Sequence, residues 1–121
     1  MNIVLSFQSG VAAYEQIKEQ IKSAIMSGEL KPEALLPSMR QLARDLKVSI
    51  ITTTRAYGDL EAEGLIYTVQ GRGCYVKGLP KEIVRGQYTR EIGAALDTAA
   101  AKAKAVGLTL GDLKNMLEER F

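Results

Sequence analysis

Residues 38–64 read SMRQLARDLKVSIITTTRAYGDLEAEG, and their pattern predicts two short helices joined by a tight turn. Ser38 and Gln41 have the Ser-x-x-Gln spacing of a capping box, in which the serine accepts from the third backbone amide of the helix and the glutamine reaches back. Ser49 follows a Lys-Val turn and caps the second helix, which Gly64 ends. The stretch therefore predicts a helix-turn-helix.

The second of these helices is predicted to bury one face and to expose the other. Its inward positions are Thr53, Ala56, Tyr57 and Leu60. Its outward positions are Ile50, Ile51, Thr54, Arg55 and Gly58. Cationic side chains gather near the turn, at Arg40, Arg44, Lys47 and Arg55. A helix-turn-helix that reads DNA places its second helix in the major groove, so this face is a candidate DNA-binding surface; a plain helix pair with a charged rim is the alternative.

A β-hairpin is predicted directly after the helix-turn-helix. The stretches LIYTVQ (65–70) and CYVK (74–77) have the pattern of strands, and GRG (71–73) joins them. The two glycines leave Arg72 at an unobstructed tip, which can approach a phosphate or enter a minor groove. An ordinary hairpin turn is the alternative for this tip alone. Together with the helix-turn-helix, the hairpin specifies a winged helix.

Two elements are predicted ahead of the helix-turn-helix. An amphipathic helix extends from about Val11 to Ser27, and Gly28 ends it. Residues 2–8, NIVLSFQ, alternate apolar and polar side chains in the manner of a short strand, with a loop as the alternative. We assign residues 1–78 to the winged-helix domain.

The remaining residues, 79–121, predict a long helix from about Ile83 to Val106 and a shorter helix that is capped at TLGD (109–112). Their apolar stripes are rich in alanine, which permits close approach of helices, but they carry too little mass for a core of their own. We therefore expect a dimerisation segment. The positions expected at the dimer interface are Tyr88, Ile92, Ala95, Ala99, Ala103, Leu110, Leu113 and Leu117.

The composition of the 121-residue chain argues against several classes of function. Hydrophobic residues make up 46% and charged residues 25%, the usual mix of a globular protein. The absence of histidine removes Ser-His-Asp catalysis and most metal sites, and the single cysteine, Cys74, can form neither an internal disulfide nor a thiolate metal site. We expect no enzyme activity, no metal and no cofactor. Without a long apolar run, and without a basic residue before Lys18, the chain is expected to be cytoplasmic and to have no membrane span.

Three stretches resemble the amino-terminal domain of the GntR family of bacterial transcriptional regulators: YEQIKEQIKSAIMSGELKP, LLPSMRQLARDLKVS and TTTRAYGDLEAEGLIYTVQGRGCYV. The resemblance covers residues 14–76 almost without a break. Its most specific pieces are Leu-Pro-Ser followed by Arg40, Ala-Tyr at 56–57, and Gly-Arg-Gly at 71–73. It implies a winged-helix domain that binds DNA as a dimer. The short helical tail is similar to that of the YtrA subfamily, in which the tail dimerises.

The resemblance also implies which positions contact DNA. The matching positions are Arg40, Ser49, Thr52, Gly71 and Arg72. The chain departs from the family at Ile50, which is often Arg or Pro elsewhere, and at Thr54, which is often Arg, Gln or Lys. These departures concern the base specificity and not the fold.

These observations predict a mainly α fold with a small β-hairpin: a winged helix-turn-helix domain followed by a helical dimerisation segment. The predicted function is sequence-specific regulation of transcription, with repression by a homodimer that occupies a palindromic operator and blocks polymerase; activation stays open as the alternative. The predicted partners are double-stranded DNA and a second copy of the chain, and a small-molecule effector stays open. The alternative is a winged-helix adaptor that binds proteins and not DNA, and a steep salt dependence of duplex binding distinguishes the two.

Overall fold

A computed structural model describes residues 1–121, apart from the side chain of Lys81. Over this range the chain forms five helices and a two-stranded antiparallel sheet, which confirms the predicted fold class. In chain order the elements are α1 (Ala13–Met26), α2 (Met39–Leu46), α3 (Ile50–Ala62), β1 (Ile66–Val69), β2 (Gly73–Val76), α4 (Lys81–Val106) and α5 (Leu110–Arg120). They divide into two compact units, Met1–Leu79 and Pro80–Phe121.

The first unit has one apolar core, formed by α1, α2, α3 and the hairpin. α3 packs against both α1 and α2. The four inward positions of α3 predicted from the helical period are all buried. The other large buried side chains of the core include Ile17, Ile21, Leu36, Leu42, Leu65, Ile66 and Val76. Full burial of one such side chain contributes about 1.5–3 kcal/mol, so the packing holds α3 in one orientation.

The hairpin is anchored to the loop that leads into α2. β1 and β2 pair with Ile66 opposite Val76, and both side chains are buried in the core. Alongside β2, the backbone N–H groups of Glu33 and Leu36 donate to the carbonyls of Val76 and Cys74, at 2.8 and 2.9 Å. The chain that enters the helix-turn-helix therefore also supports the hairpin.

The N-terminal segment is not a strand, so the strand prediction for residues 2–8 is wrong and the loop alternative holds. Two glutamine side chains of α1 satisfy its backbone. The Gln20 amide accepts from the N–H of Val4 at 3.0 Å and donates to its carbonyl at 2.7 Å. The Gln16 amide pairs in the same way with Ser6, at 2.8 and 2.7 Å. These amides take the place of the backbone groups that a neighbouring strand would offer.

Replacing Gln20 by alanine is expected to lower the free energy of unfolding by about 1–2 kcal/mol, because two hydrogen bonds to the segment are lost. The amide of Val4 should exchange faster with solvent. Urea unfolding and hydrogen exchange measured by NMR test these two effects. Gln8→Ala, at an exposed glutamine of the same segment, is the matched control and should change neither. Equal exchange of Val4 in both variants would contradict the prediction.

The second unit consists of α4 and α5. Gly107 adopts the left-handed conformation, with φ 79°, that ends α4. Thr109 and Asp112 then form a reciprocal capping box at the start of α5, with bonds of 3.1 and 2.8 Å. Hydrogen bonds from the backbone and the hydroxyl of Thr109 lower the pKa of the Asp112 carboxyl. Of the side chains described in this unit, only that of Ala103 is buried, so the apolar stripes are largely exposed.

Candidate nucleic-acid interface

The turn between α2 and α3 has defined backbone geometry. Lys47 ends α2 in the left-handed conformation, with φ 58°. The Ser38 hydroxyl accepts from the backbone N–H of Gln41 at 3.0 Å, and Ser49 caps α3 in a similar way at 3.1 Å. The second half of the predicted Ser38–Gln41 box is wrong, because the Gln41 amide donates to the carboxylate of Asp45 one turn further on, at 2.7 Å.

Two polar side chains on the buried face of α3 orient this helix against the start of α2. The Thr53 hydroxyl donates to the carbonyl of Met39 at 2.8 Å, and the Tyr57 hydroxyl donates to the carbonyl of Pro37 at 2.7 Å. Burial raises the pKa of the Tyr57 hydroxyl, which keeps it a donor. The sequence indicated only that both side chains are buried. The hydrogen bonds of Thr53 and Tyr57 therefore hold the inward side of α3 against the start of α2. The opposite side of α3 is not covered by α2.

The uncovered face of α3 carries the side chains that the sequence proposed for DNA contact. Ile51 is 76% exposed and Ile50 is 40% exposed, which confirms that both lie on the outward face of the helix. The other proposed contacts on this helix are Thr52, half-buried, and Thr54 and Arg55, both exposed. No acidic residue occurs in α3 before Asp59.

The Arg55 guanidinium lies over an aromatic ring of another helix. Its central carbon is 3.8 Å from the centroid of the Tyr14 ring, in the first turn of α1. A cation at this distance over an aromatic face is attracted by the ring quadrupole. The sequence predicted an amphipathic helix around Tyr14 but not this contact, because no periodicity relates residues on two separate helices.

Two further proposed contacts are exposed arginines outside α3. Arg40 lies in the first turn of α2. Arg72 lies at the tip of the hairpin between Gly71, with φ 80°, and Gly73, with φ 124°. A side chain at position 73 would meet the Leu35 side chain at 3.2 Å in addition to the backbone strain, so this position suits only glycine. The two glycines therefore allow the turn its left-handed conformation, and the Arg72 side chain between them is exposed.

The face of the hairpin away from the core is stiffened by a pair of tyrosines. The rings of Tyr67 and Tyr75 lie opposite each other on β1 and β2 and stack with centroids 5.7 Å apart and planes 22° apart. The Tyr67 hydroxyl donates to the carboxylate of Glu33, and this bond raises the pKa of the hydroxyl. The pair therefore ties the hairpin to the loop before α2 a second time.

The residues proposed for dimerisation lie on α4 and α5 and fall into two groups. A groove of about 550 Å³ between these helices is lined by four of them: Ala99, Leu110, Leu113 and Leu117. Leu96 and Met116, which the sequence reasoning did not select, line it as well. Outside the groove lining are Tyr88, Ile92 and Ala95, on the earlier turns of α4, and the buried Ala103. The groove is apolar and open.

The described part of the chain has neither a cluster of metal ligands nor a helix suited to a membrane. No cluster of His, Cys, Asp or Glu among the described residues could hold a metal ion. None of the described helices has both the length and the apolar character that a membrane span needs. The free thiol of Cys74 is buried, with the Thr68 hydroxyl 3.4 Å away.

Known proteins resemble this chain in sequence and in structure. Residues 13–76 match the profile of the family described as "Bacterial regulatory proteins, gntR family". Over 113 residues the chain is 35% identical to the HTH-type transcriptional repressor YtrA of Bacillus subtilis (strain 168), which covers 93% of this chain and 86% of that protein. A solved GntR family transcriptional regulator from Listeria monocytogenes has a TM-score of 0.79 and 26% identity, over 93% of this chain and 98% of that one. AraR(DBD), solved in complex with operator ORR3, has a TM-score of 0.53 and 36% identity, over 63% of this chain and 92% of that one.

Proposed function

This chain belongs to the gntR family of bacterial regulatory proteins, and we propose that it represses transcription as a homodimer bound to a palindromic operator. It is a DNA-binding transcription regulator, as its family and its relatives are. Repression would be steric, because a dimer on the operator occupies DNA that polymerase needs. A bacterial regulator of transcription acts on the chromosome, so the proposal places the protein in the cytoplasm. The proposal includes no enzyme activity and no cofactor.

The observation that carries the proposal is the uncovered face of α3. The major groove admits one α-helix, and a helix can enter it only if its outward side chains are compatible with the negative charge of DNA. Thr53 and Tyr57 hold the inward face of α3 against the start of α2. The first two turns of the outward face present apolar and hydroxyl side chains and one cation, Arg55. A protein-binding adaptor directed at basic partners would need carboxylates there instead.

Selection of bound sites from a random pool of duplexes tests the proposal. We expect enrichment of a palindrome whose half-sites are separated by about one helical turn, since two recognition helices of a dimer occupy successive major grooves. Binding to the selected duplex should weaken steeply with salt, because contacts to phosphates release counterions. Enrichment of isolated half-sites would contradict the homodimer. The absence of any enrichment, with flat salt dependence, would favour the adaptor.

Replacing Arg72 by alanine is expected to weaken operator binding by about 1–3 kcal/mol if it contacts a base, and to reduce the slope of log K against log salt by about one if it contacts a phosphate. Arg40→Ala should behave in the same way. Fluorescence anisotropy at several salt concentrations measures both quantities. Arg90→Ala, at an exposed arginine of α4, is the matched control and should change neither. Unchanged affinity in both the Arg40 and the Arg72 variants would contradict docking through α2 and the hairpin.

A further inference from the structure

We propose that Tyr14 is a positioning residue for DNA binding: its ring holds the Arg55 guanidinium at the side of α3 that faces α1, where Arg55 binds a backbone phosphate rather than a base. The inference rests on the DNA-binding function proposed above and extends the site to α1. Phosphate contacts fix how a protein is oriented on the duplex, whereas base contacts carry the sequence information. Tyr14 and Arg55 would therefore set the register of α3 in the groove.

The Tyr14 ring has a fixed position relative to α3 because α1 is held firmly on that helix. Ile17 and Ile21, the next inward residues of α1, are completely buried in the shared core. Further along, the Lys18 ammonium lies 3.3 Å from the carboxylate of Glu63, the C-cap of α3. Tyr14 itself packs partly against the core, so its ring is a stable platform for the guanidinium 3.8 Å away.

The guanidinium lies over this ring although an acidic residue is present on its own helix. Asp59 lies four residues after Arg55, a spacing at which opposite charges can pair along a helix. Among the described side chains, no carboxylate lies within ion-pair distance of the Arg55 guanidinium. An aromatic ring attracts a cation without neutralising it. Arg55 is therefore held in place with its charge uncompensated, which suits it to bind an external anion.

The geometry of the stack favours a phosphate over a base edge. The guanidinium carbon lies over the ring, and the five N–H donors are spread around that carbon, so a phosphate can accept from them while the contact with Tyr14 is kept. Ile51, one helical turn before Arg55, is 76% exposed on the outward face of α3, whereas the contact with Tyr14 holds the Arg55 guanidinium towards α1. The flank of a helix inserted in the groove faces the wall of the groove, which is formed by the phosphate backbone.

The test is a double-mutant cycle on the full-length chain with the selected operator duplex. Tyr14→Leu removes the ring and retains an apolar side chain, and Tyr14→Phe retains the ring without the hydroxyl. Arg55→Ala removes the cation. Operator affinity is measured over a range of salt concentrations for each variant and for the Tyr14→Leu/Arg55→Ala double variant, and the base preference is reselected for Arg55→Ala.

We expect Tyr14→Leu to weaken binding about two- to fivefold, because the Arg55 side chain is then mobile in the free protein and loses that freedom when DNA binds, and Tyr14→Phe to restore the wild-type affinity. Arg55→Ala should weaken binding on the order of tenfold and reduce the salt slope by about one, with an unchanged base preference at every operator position. In the Arg55→Ala background, Tyr14→Leu should have no further effect on affinity, because the two residues act as a unit.

Losses that multiply in the double variant would overturn the proposal, since Tyr14 would then act without Arg55. A changed base preference in Arg55→Ala would overturn the assignment to a phosphate. A wild-type chain that selects no duplex refutes the DNA-binding function itself. Normal wild-type binding together with an unaffected Tyr14→Leu variant refutes only the inference about Tyr14.

A purely structural role of Tyr14 is distinguished by two further measurements. Thermal unfolding shows whether Tyr14→Leu is folded, and Tyr14→Met is a second variant without a ring if it is not. The side-chain NMR signals of Arg55 in the free protein should show a ring-current shift that Tyr14→Phe preserves and Tyr14→Met abolishes. Identical Arg55 signals in the presence and absence of the ring would contradict the stacking contact.

Discussion

A chain that ends at Leu79 is expected to be monomeric and to bind the operator about 10²–10⁴-fold more weakly than the full-length protein, while keeping its fold. The first unit has its own core, against which Leu79 packs. The second unit exposes an apolar groove between α4 and α5, which the proposal fills with the same segment of a second copy. Without the dimer contact, the two winged-helix domains are not connected, and each must bind its half-site independently. Sedimentation velocity and operator titration measure the two effects.

A point variant tests the same interface in the complete chain. Leu117→Asp places a charge in the groove lining, whereas Asn115→Asp makes a charge change on the same helix outside that lining. We expect the first variant to be a monomer with weakened operator binding and the second to remain a dimer. Fusion of the truncated chain to a two-stranded coiled coil should restore affinity. A full-length protein that is monomeric at micromolar concentration would contradict the homodimer.

Replacing thymine by uracil at the operator position opposite Ile50 and Ile51 is expected to weaken binding about fourfold for each buried methyl lost, since burial of such a group contributes about 0.8 kcal/mol. Both isoleucines are exposed at the start of α3. The thymine methyl is the apolar feature of the major groove, and neither side chain can donate a hydrogen bond to guanine. Competition titrations with substituted duplexes measure the effect. Ile51→Ala should reduce the sensitivity to uracil.

Ile50→Arg is expected to shift the selected base from thymine to guanine, because an arginine can form two hydrogen bonds with the guanine edge, which discriminate by about 1–3 kcal/mol. Reselection from the random duplex pool measures the shift. Ala62→Arg, which adds the same donor at the exposed far end of the same helix, should leave this base preference unchanged. If uracil throughout the half-site leaves wild-type affinity intact, the isoleucines do not read methyl groups.

Local patterns in the sequence determined the elements of the first unit and most of their exposed side chains. Ser38 and Ser49 cap α2 and α3 as their positions predicted, because a cap is a bond between neighbours in the chain. The helical period likewise separated the buried face of α3 from the face that exposes Ile51 and Arg55. The Gly-Arg-Gly stretch at 71–73 predicted the hairpin turn, because the positive φ angles of such a turn depend on the glycines within it.

Only the tertiary structure decided how side chains from separate elements meet. The N-terminal segment had the alternation of a strand, but its backbone is bonded by Gln16 and Gln20 of α1, and no strand forms. Helical periodicity placed Arg55 on the outward face of α3, but the Tyr14 ring determines where its guanidinium lies. The groove of the second unit depends in the same way on how α4 and α5 are arranged. Periodicity relates residues within one element, whereas these contacts depend on distances that exist only once the elements have packed.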